Sequence, residues 1–293
     1  MTVTRDLVPR AVAKARRTIY PLVPASVVEY SRIARVLARS APMTAHGYQF
    51  ASDVHPVDVP SSVPDSDGEP NALRAYFEAH REGPGIYKGR HYFDLYVRHL
   101  AGFVGRDVVV VEIGVYSGGS LGMWRSYFGE DATIHGVDIE EACRVYEAEG
   151  IHVHIGDQAD REFWSRFKTE VPVIDVLIDD GGHHSNEMRV TFEELFPTLR
   201  PGGVYICEDI VDNEFLAYLE GLAEHLMSYE STPLDEPGVA SVADSFQQAV
   251  QAIHFYPFLA VVERTLQPVT EFQFPKHGSE WQPPGFGARP DSR

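Results

Sequence analysis

The chain has 293 residues, 44% of them hydrophobic, and a formal net charge of −18, a size and apolar content that supply a substantial core for one large domain with an extension, or for two domains. So acidic a chain lacks the basic face with which nucleic-acid binders neutralise phosphates, which excludes a general nucleic-acid role. The acidity is uneven: residues 1–40 hold eight Arg and Lys against Asp6 and Glu29, which leaves about −24 on the other 253 residues. Cys143 and Cys207 are the only cysteines, and Cys207 lies in an apolar run where a free, reduced thiol is expected. No signal-peptide hydrophobic region and no apolar run long enough to span a bilayer occurs, so the expected location is the cytoplasm.

In chain order, Leu7, Ala11, Ala15 and Ile19 recur at near-helical spacing beside Arg10, Lys14 and Arg17, a basic amphipathic helix that ends before Pro21. Ser26-Val-Val-Glu29 has the form of a capping box and opens a second helix. These helices read as a lid or homo-oligomerisation element, or, through residues 5–20, as a weak contact with an anionic membrane surface. Residues 41–70, rich in Pro, Ser and Asp, read as a loop. A helix is expected over Asn71–Arg81, stopped by Gly83-Pro84. Gly85–Leu100 should be a turn feeding a helix whose aromatics, with Lys88, Arg90 and His91, either pack on the sheet or line a cleft.

From Asp107 the pattern alternates between strand and helix. Strands are expected at Val108–Ile113, Thr133–Val137, Val153–Ile155, Val173–Ile178 and Val204–Cys207, with helices at Ser120–Phe128, Arg161–Lys168 and Glu187–Leu199. Runs that are apolar throughout fit strands buried on both faces, so the fold class is α/β, a Rossmann-like doubly wound sheet. Further helices are expected near Glu214–Met227 and Ser241–Gln251, and a loop at Ser231–Pro237. Ala252–Tyr256 and Leu259–Arg264 are separated by two residues, which forces an antiparallel pair. The expected organisation is a helical extension over residues 1–82, a main domain over 83–274 and a flexible tail over 275–293.

Ligands bind at the carboxyl ends of the strands in such sheets, so the polar groups there carry the chemistry. Strand one ends in Val111-Glu-Ile-Gly-Val-Tyr-Ser-Gly-Gly-Ser120, small residues that let a ligand approach the backbone and the next helix N-terminus. The pattern is not the G-x-G-x-x-G of a pyrophosphate-binding turn, which disfavours an NAD(P)-dependent oxidoreductase. Asp138 ends strand two, 24 residues after Gly114, where a ribose-binding acid sits in nucleotide-binding α/β folds. Strand three ends in Gly156-Asp157-Gln158, whose acid and amide could read an adenine edge.

Asp180, Glu208 and Asp209 fall at the ends of strands four and five. Three carboxylates in one cleft repel one another unless a cation joins them, and an oxygen-only set suits Mg²⁺; alternatively Glu208 and Asp209 cap a helix or pair with arginines. His183, three residues after Asp180, is placed to take a proton from a hydroxyl on the same metal. His184 competes for that role, and either histidine could instead cap the helix that follows.

Taken together, Ile178-Asp-Asp-Gly-Gly-His183, Phe196-Pro-Thr-Leu-Arg-Pro-Gly-Gly203, Tyr205-Ile-Cys-Glu-Asp209, Lys88-Gly-Arg-His-Tyr-Phe and Ile253-His-Phe-Tyr-Pro resemble the class I S-adenosylmethionine-dependent, Mg²⁺-dependent sugar O-methyltransferases of the macrocin and mycinamicin type, and proteins named cephalosporin hydroxylases. The resemblance covers residues 84–265. It implies a seven-stranded sheet with an antiparallel last strand, Mg²⁺ on Asp180, Glu208 and Asp209, His183 as base, and S-adenosylmethionine contacts from Glu112, Gly114, Ser117, Asp138, Asp157 and Asp179. Tyr116, Gly118 and Gln158, on the same strand ends, join the expected cofactor set. The expected acceptor is a small molecule or oligosaccharide: a sugar hydroxyl, with a small phenol or catechol as the alternative. A non-catalytic member of the fold is disfavoured by the intact histidine and acids. One departure stands out: the family reads Asp-Asp-Gly-Ser-His, and Gly182 replaces the Ser.

Overall fold

A computed structural model describes residues 41–47, 49–52, 71–211, 213–228, 240–273, 275, 277 and 278. The chain divides into two compact units, Met1–Asp67 and Gly68–Arg293. The expected helices within residues 5–37, the Ser231–Pro237 loop and most of the 275–293 tail lie outside the described residues. In the first unit, residues 41–47 and 49–52 are helical rather than a loop.

The second unit is a seven-stranded sheet in the order β3-β2-β1-β4-β5-β8-β7. Its strands are β1 (Val109–Ile113), β2 (Thr133–Asp138), β3 (Ile151–Ile155), β4 (Ile174–Asp179), β5 (Leu199–Cys207), β7 (Val250–Tyr256) and β8 (Leu259–Arg264). The first five pair in parallel, and β8 runs against both β5 and β7. Alternate side chains feed two cores: Val110, Ile178 and Ile206 enter one, and Val111, Leu177 and Tyr205 the other. Burial on both faces is why these strands read as continuous apolar runs.

Helices α1 (Ala72–Ala79), α2 (Tyr92–Leu100) and α3 (Gly119–Phe128) cover the first face through Leu73, Phe93 and Trp124. The second face is covered by α4 (Arg161–Glu170), α5 (Ser185–Leu195) and α6 (Asn213–Met227) through Trp164, Phe192 and Phe215. Leu73 is fully buried in the sheet's own core, so α1 packs with the second unit, whose contact boundary falls at 67/68.

Two elements depart from the sequence pattern. β5 begins at Leu199, so Arg200-Pro-Gly-Gly203 is strand rather than turn; the pairing with β4 is irregular between Ile174 and Val176, where Pro201 cannot donate. The helix expected over Ser241–Gln251 is confined to α7 (Ser245–Ala249), capped by Asp244, whereas Ala240–Val242 forms β6, antiparallel to β9 (Glu271–Gln273). Among the described residues no helix is long and apolar enough to cross a membrane. Cys143 and Cys207 are free and buried.

Candidate active site

Strand order reverses between β1 and β4, and a cleft of about 670 Å³ opens at their carboxyl ends. Its floor begins at Gly114, whose φ is +90°. A Cβ there would lie 1.9 Å from the Asp180 carbonyl oxygen, so only glycine lets β1 turn this close to the end of β4. Asp138 Oδ2 accepts from the N–H groups of Val115 and Tyr116, both at 2.9 Å, and Oδ1 from Glu140 N–H. The acid that ends β2 thereby shapes the turn that follows β1. Gly114, Tyr116, Ser117, Asp138, Asp157 and Gln158 all line the cleft. Tyr116 is 80% exposed, with its backbone in the left-handed region.

Four expected site residues are placed otherwise. Gly118 is the N-cap of α3 with φ +72°, packed so closely over the Tyr146 ring that a Cβ would come within 2.3 Å of it. Glu112 is fully buried beneath the cleft, with one oxygen accepting from Lys88 Nζ and the other from Ser120 Oγ at 2.6 Å. Asp179 lies under Gln158, accepting from its amide at 2.7 Å and from the Tyr205 hydroxyl at 3.1 Å. Burial pushes its carboxyl up to about 7 while those two hydrogen bonds pull it down. Glu208 faces away from the cleft, accepting from Tyr96 at 2.7 Å and Lys88 at 3.1 Å. Glu112 and Asp179 on their strands and Glu208 just past the end of β5 are all buried, which one-dimensional spacing does not distinguish from positions that open on the cleft. Gln158 also has a second partner: its carbonyl oxygen accepts from Gly182 N–H at 3.0 Å, so it bridges the ends of β3 and β4.

At the other end of the cleft, Asp180, His183 and Asp209 bring one ligand atom each within 4.8 Å of one another. His183 has φ +58° and Asp209 φ +50°, conformations that side-chain-bearing residues adopt at a cost and that cluster at functional sites. His183 Nε2 stands 3.9 Å from Asp180 Oδ1, and its Nδ1 is buried with no partner. The Tyr92 hydroxyl donates to Asp209 Oδ1 at 2.6 Å; burial and that bond push the tyrosine far above its ordinary pKa, so it stays a donor. His184 is exposed and is the N-cap of α5, its N–H directed at Glu187 at 3.4 Å, which leaves His183 as the histidine of the cleft. Gly182 accommodates Glu187: a Cβ at 182 would meet the Glu187 carboxylate at 2.0 Å.

The sequence reading did not single out Tyr92 and Tyr96 or assign Lys88 its partners. Part of the signal was present, since Tyr92 and Tyr96 are four residues apart and share one face of α2, with Lys88 in the non-helical segment just before it. The donor set suits a hard divalent cation that keeps waters, because Asp180 and Asp209 offer oxygens on the open side and the unpartnered histidine nitrogen marks an incomplete polar site.

Residues 111–210 match the family model described as a methyltransferase domain. Over 209 residues the chain is 32% identical to the 8-demethyl-8-alpha-L-rhamnosyl tetracenomycin-C 2'-O-methyltransferase of Streptomyces olivaceus, covering 63% of this chain and 53% of that protein. Over 122 residues it is 40% identical to the mycinamicin VI 2''-O-methyltransferase of Micromonospora griseorubida, covering 39% and 30%. Among solved structures it resembles the MycE methyltransferase of the mycinamycin biosynthetic pathway, in complex with Mg and SAH, at a TM-score of 0.55 and 28% identity over 67% of this chain and 54% of that one. The chain thus spans about half the length, or less, of these relatives. Sheet order, the strand-end cleft and the sequence match agree: residues 111–210 are similar to a methyltransferase domain and lie in a sheet of the Rossmann-like fold.

Proposed function

We propose that the protein is an O-methyltransferase that moves the methyl group of S-adenosylmethionine to a hydroxyl of a sugar on a glycosylated small molecule, with Mg²⁺ as its metal. The observation that carries this reading is the convergence of Asp180, His183 and Asp209 at one end of a cleft whose other end is the Gly114–Ser117 turn. It is supported by relatives named as sugar O-methyltransferases of tetracenomycin, mycinamicin and macrocin and by the MycE structure that holds Mg, SAH and mycinamycin VI.

Asp180 and Asp209 would hold the metal, and Glu208 would support them from beneath. Mg²⁺ bound there supplies a Lewis acid that makes a neighbouring hydroxyl easier to deprotonate. His183 takes the hydroxyl proton on Nε2. The freed oxygen pair forms the bond to the methyl carbon as the carbon–sulfur bond breaks, and the sulfonium becomes a neutral thioether. The Gly114 turn, with Asp138 tied to its N–H groups and Asp157 at the end of β3, holds the donor so that the two reactants meet in line. The same reading keeps the protein cytoplasmic and homo-oligomeric, with the region before the sheet serving as lid or assembly element.

His183→Ala should lower kcat by about 10²- to 10⁴-fold with the calorimetric affinity for S-adenosylmethionine unchanged, and chelation by EDTA should stop transfer to a rhamnosyl tetracenomycin or mycinamicin VI acceptor until Mg²⁺ is returned. Full turnover of the His183 variant would move the base elsewhere, and full activity in EDTA would remove the metal.

A further inference from the structure

Beneath the cleft a cation already occupies the meeting point of three carboxylates. Lys88 Nζ donates to Asp180 Oδ2 at 2.7 Å and to Glu112 Oε1 and Glu208 Oε2 at 3.1 Å each, and its side chain is 2% exposed. Those three bonds use every donor an ammonium has. The ring of Trp124 lies 5.8 Å from the nitrogen and closes another side. Three carboxylates within hydrogen-bond reach of one buried ammonium favour its charged form. The remaining oxygens of Glu112 and Glu208 accept from Ser120 and Tyr96. Among the described residues no other cation touches these two glutamates, whereas Asp180 alone of the three lines the cleft.

We propose that Lys88 is a positioning residue: the fixed internal counter-ion of the acid cluster, which engages Glu112, Glu208 and one oxygen of Asp180 and leaves an exchangeable metal only Asp180 Oδ1 and Asp209. This rests on the reading of Asp180 and Asp209 as metal ligands. Three desolvated carboxylates without a cation would repel one another or take up protons; with Lys88 among them they are held in place before any metal arrives. Asp180 Oδ1 is thereby kept on the His183 side. A site of two carboxylates suits an ion that retains several waters and exchanges them for substrate oxygens.

The test is a thermal-unfolding cycle on the full chain, run without metal and with saturating MgCl₂. Without metal, Lys88→Met should lower Tm by about 8 °C or more. Adding Glu208→Gln to that variant should restore over half of the loss, because it removes a charge the ammonium had balanced. The rise in Tm on adding Mg²⁺ should be larger in Lys88→Met than in the wild type, since the metal is then the cluster's only counter-charge. Strictly additive losses for the two substitutions, or equal Mg²⁺-induced rises, would reduce Lys88 to packing and overturn the inference. Should Lys88→Met alone not fold, folding of the double variant is the counter-ion result, and failure of both overturns it. A wild-type protein giving no calorimetric signal with Mg²⁺ would sink the metal reading of the cleft, while the metal-free cycle would still decide the role of Lys88.

Discussion

At the ends of β1, β2 and β3 the cleft is made of backbone. Gly114 turns the chain, Asp138 is tied to N–H groups of that turn, and Gln158 stitches two loops together. At the ends of β4 and β5 it is made of side-chain charge, with Asp180 and Asp209 facing the opening, Lys88 beneath, and two tyrosines of α2 directed at the acids. A methyl donor held in the first half, as proposed, would meet a fixed backbone cradle. A metal and a hydroxyl that must exchange need groups whose charge is balanced whether or not the ligand is there. The difference shows that one cleft can join a shape-determined half to an electrostatically determined half at a single point, the contact of Gly114 with Asp180.

Breaking that contact gives the largest expected effect. Gly114→Ala puts a Cβ where the Asp180 carbonyl stands and forces a side chain into a positive φ. It should cost about 3 to 5 kcal/mol of stability and abolish both donor and metal binding, as read by thermal unfolding and calorimetry. A variant that lost only one of the two bindings would separate the halves we have joined.

Tyr92→Phe probes the charged half alone. It removes the bond to Asp209 Oδ1 without altering the ring's packing. Mg²⁺ affinity should weaken about tenfold while S-adenosylmethionine affinity stays as it was, measured by separate titrations. A change in the second affinity would show that the halves are not independent.

The smallest effect lies on the outer strands of the backbone half, where His135 Nδ1 meets His154 Nε2 at 3.0 Å beside the ring of His152, and His154 stands 3.5 Å from Glu170. Burial, then the neighbouring imidazoles, bring His135 down to about 4. Its folded value is below the unfolded value near 6.5, so the neutral ring is favoured by folding. The contribution is complete above pH 6.5 and is lost as pH falls towards 4, by about 1 to 2 kcal/mol after allowing for partial exposure. Denaturant midpoints across that range should decline less for His135→Gln than for the wild type; parallel declines would place the acid sensitivity elsewhere.

Strands β1, β2 and β4 were legible to within a residue or two because burial on both faces leaves an uninterrupted apolar run. The start of β5 was not, because Pro201 and two glycines carry the local signature of a turn and only pairing with β4 overrides it. β6 was missed for a related reason: three residues become a strand only through β9, some thirty positions later. In the site, Asp180, His183 and Asp209 were legible because a strand end is a local feature. Lys88 was not assigned because its partners lie 24, 92 and 120 residues away in the sequence.

Gly182 carries one more consequence, for anyone who would reshape this protein. The space that a serine would fill at that position is taken by the Glu187 carboxylate, reached across the first turn of α5. Positions 182 and 187 therefore form a single design variable. A side chain at 182 would turn the Glu187 carboxylate, the far end of a flexible chain, out of the space it now fills, so the effect of a change at 182 is read through residue 187.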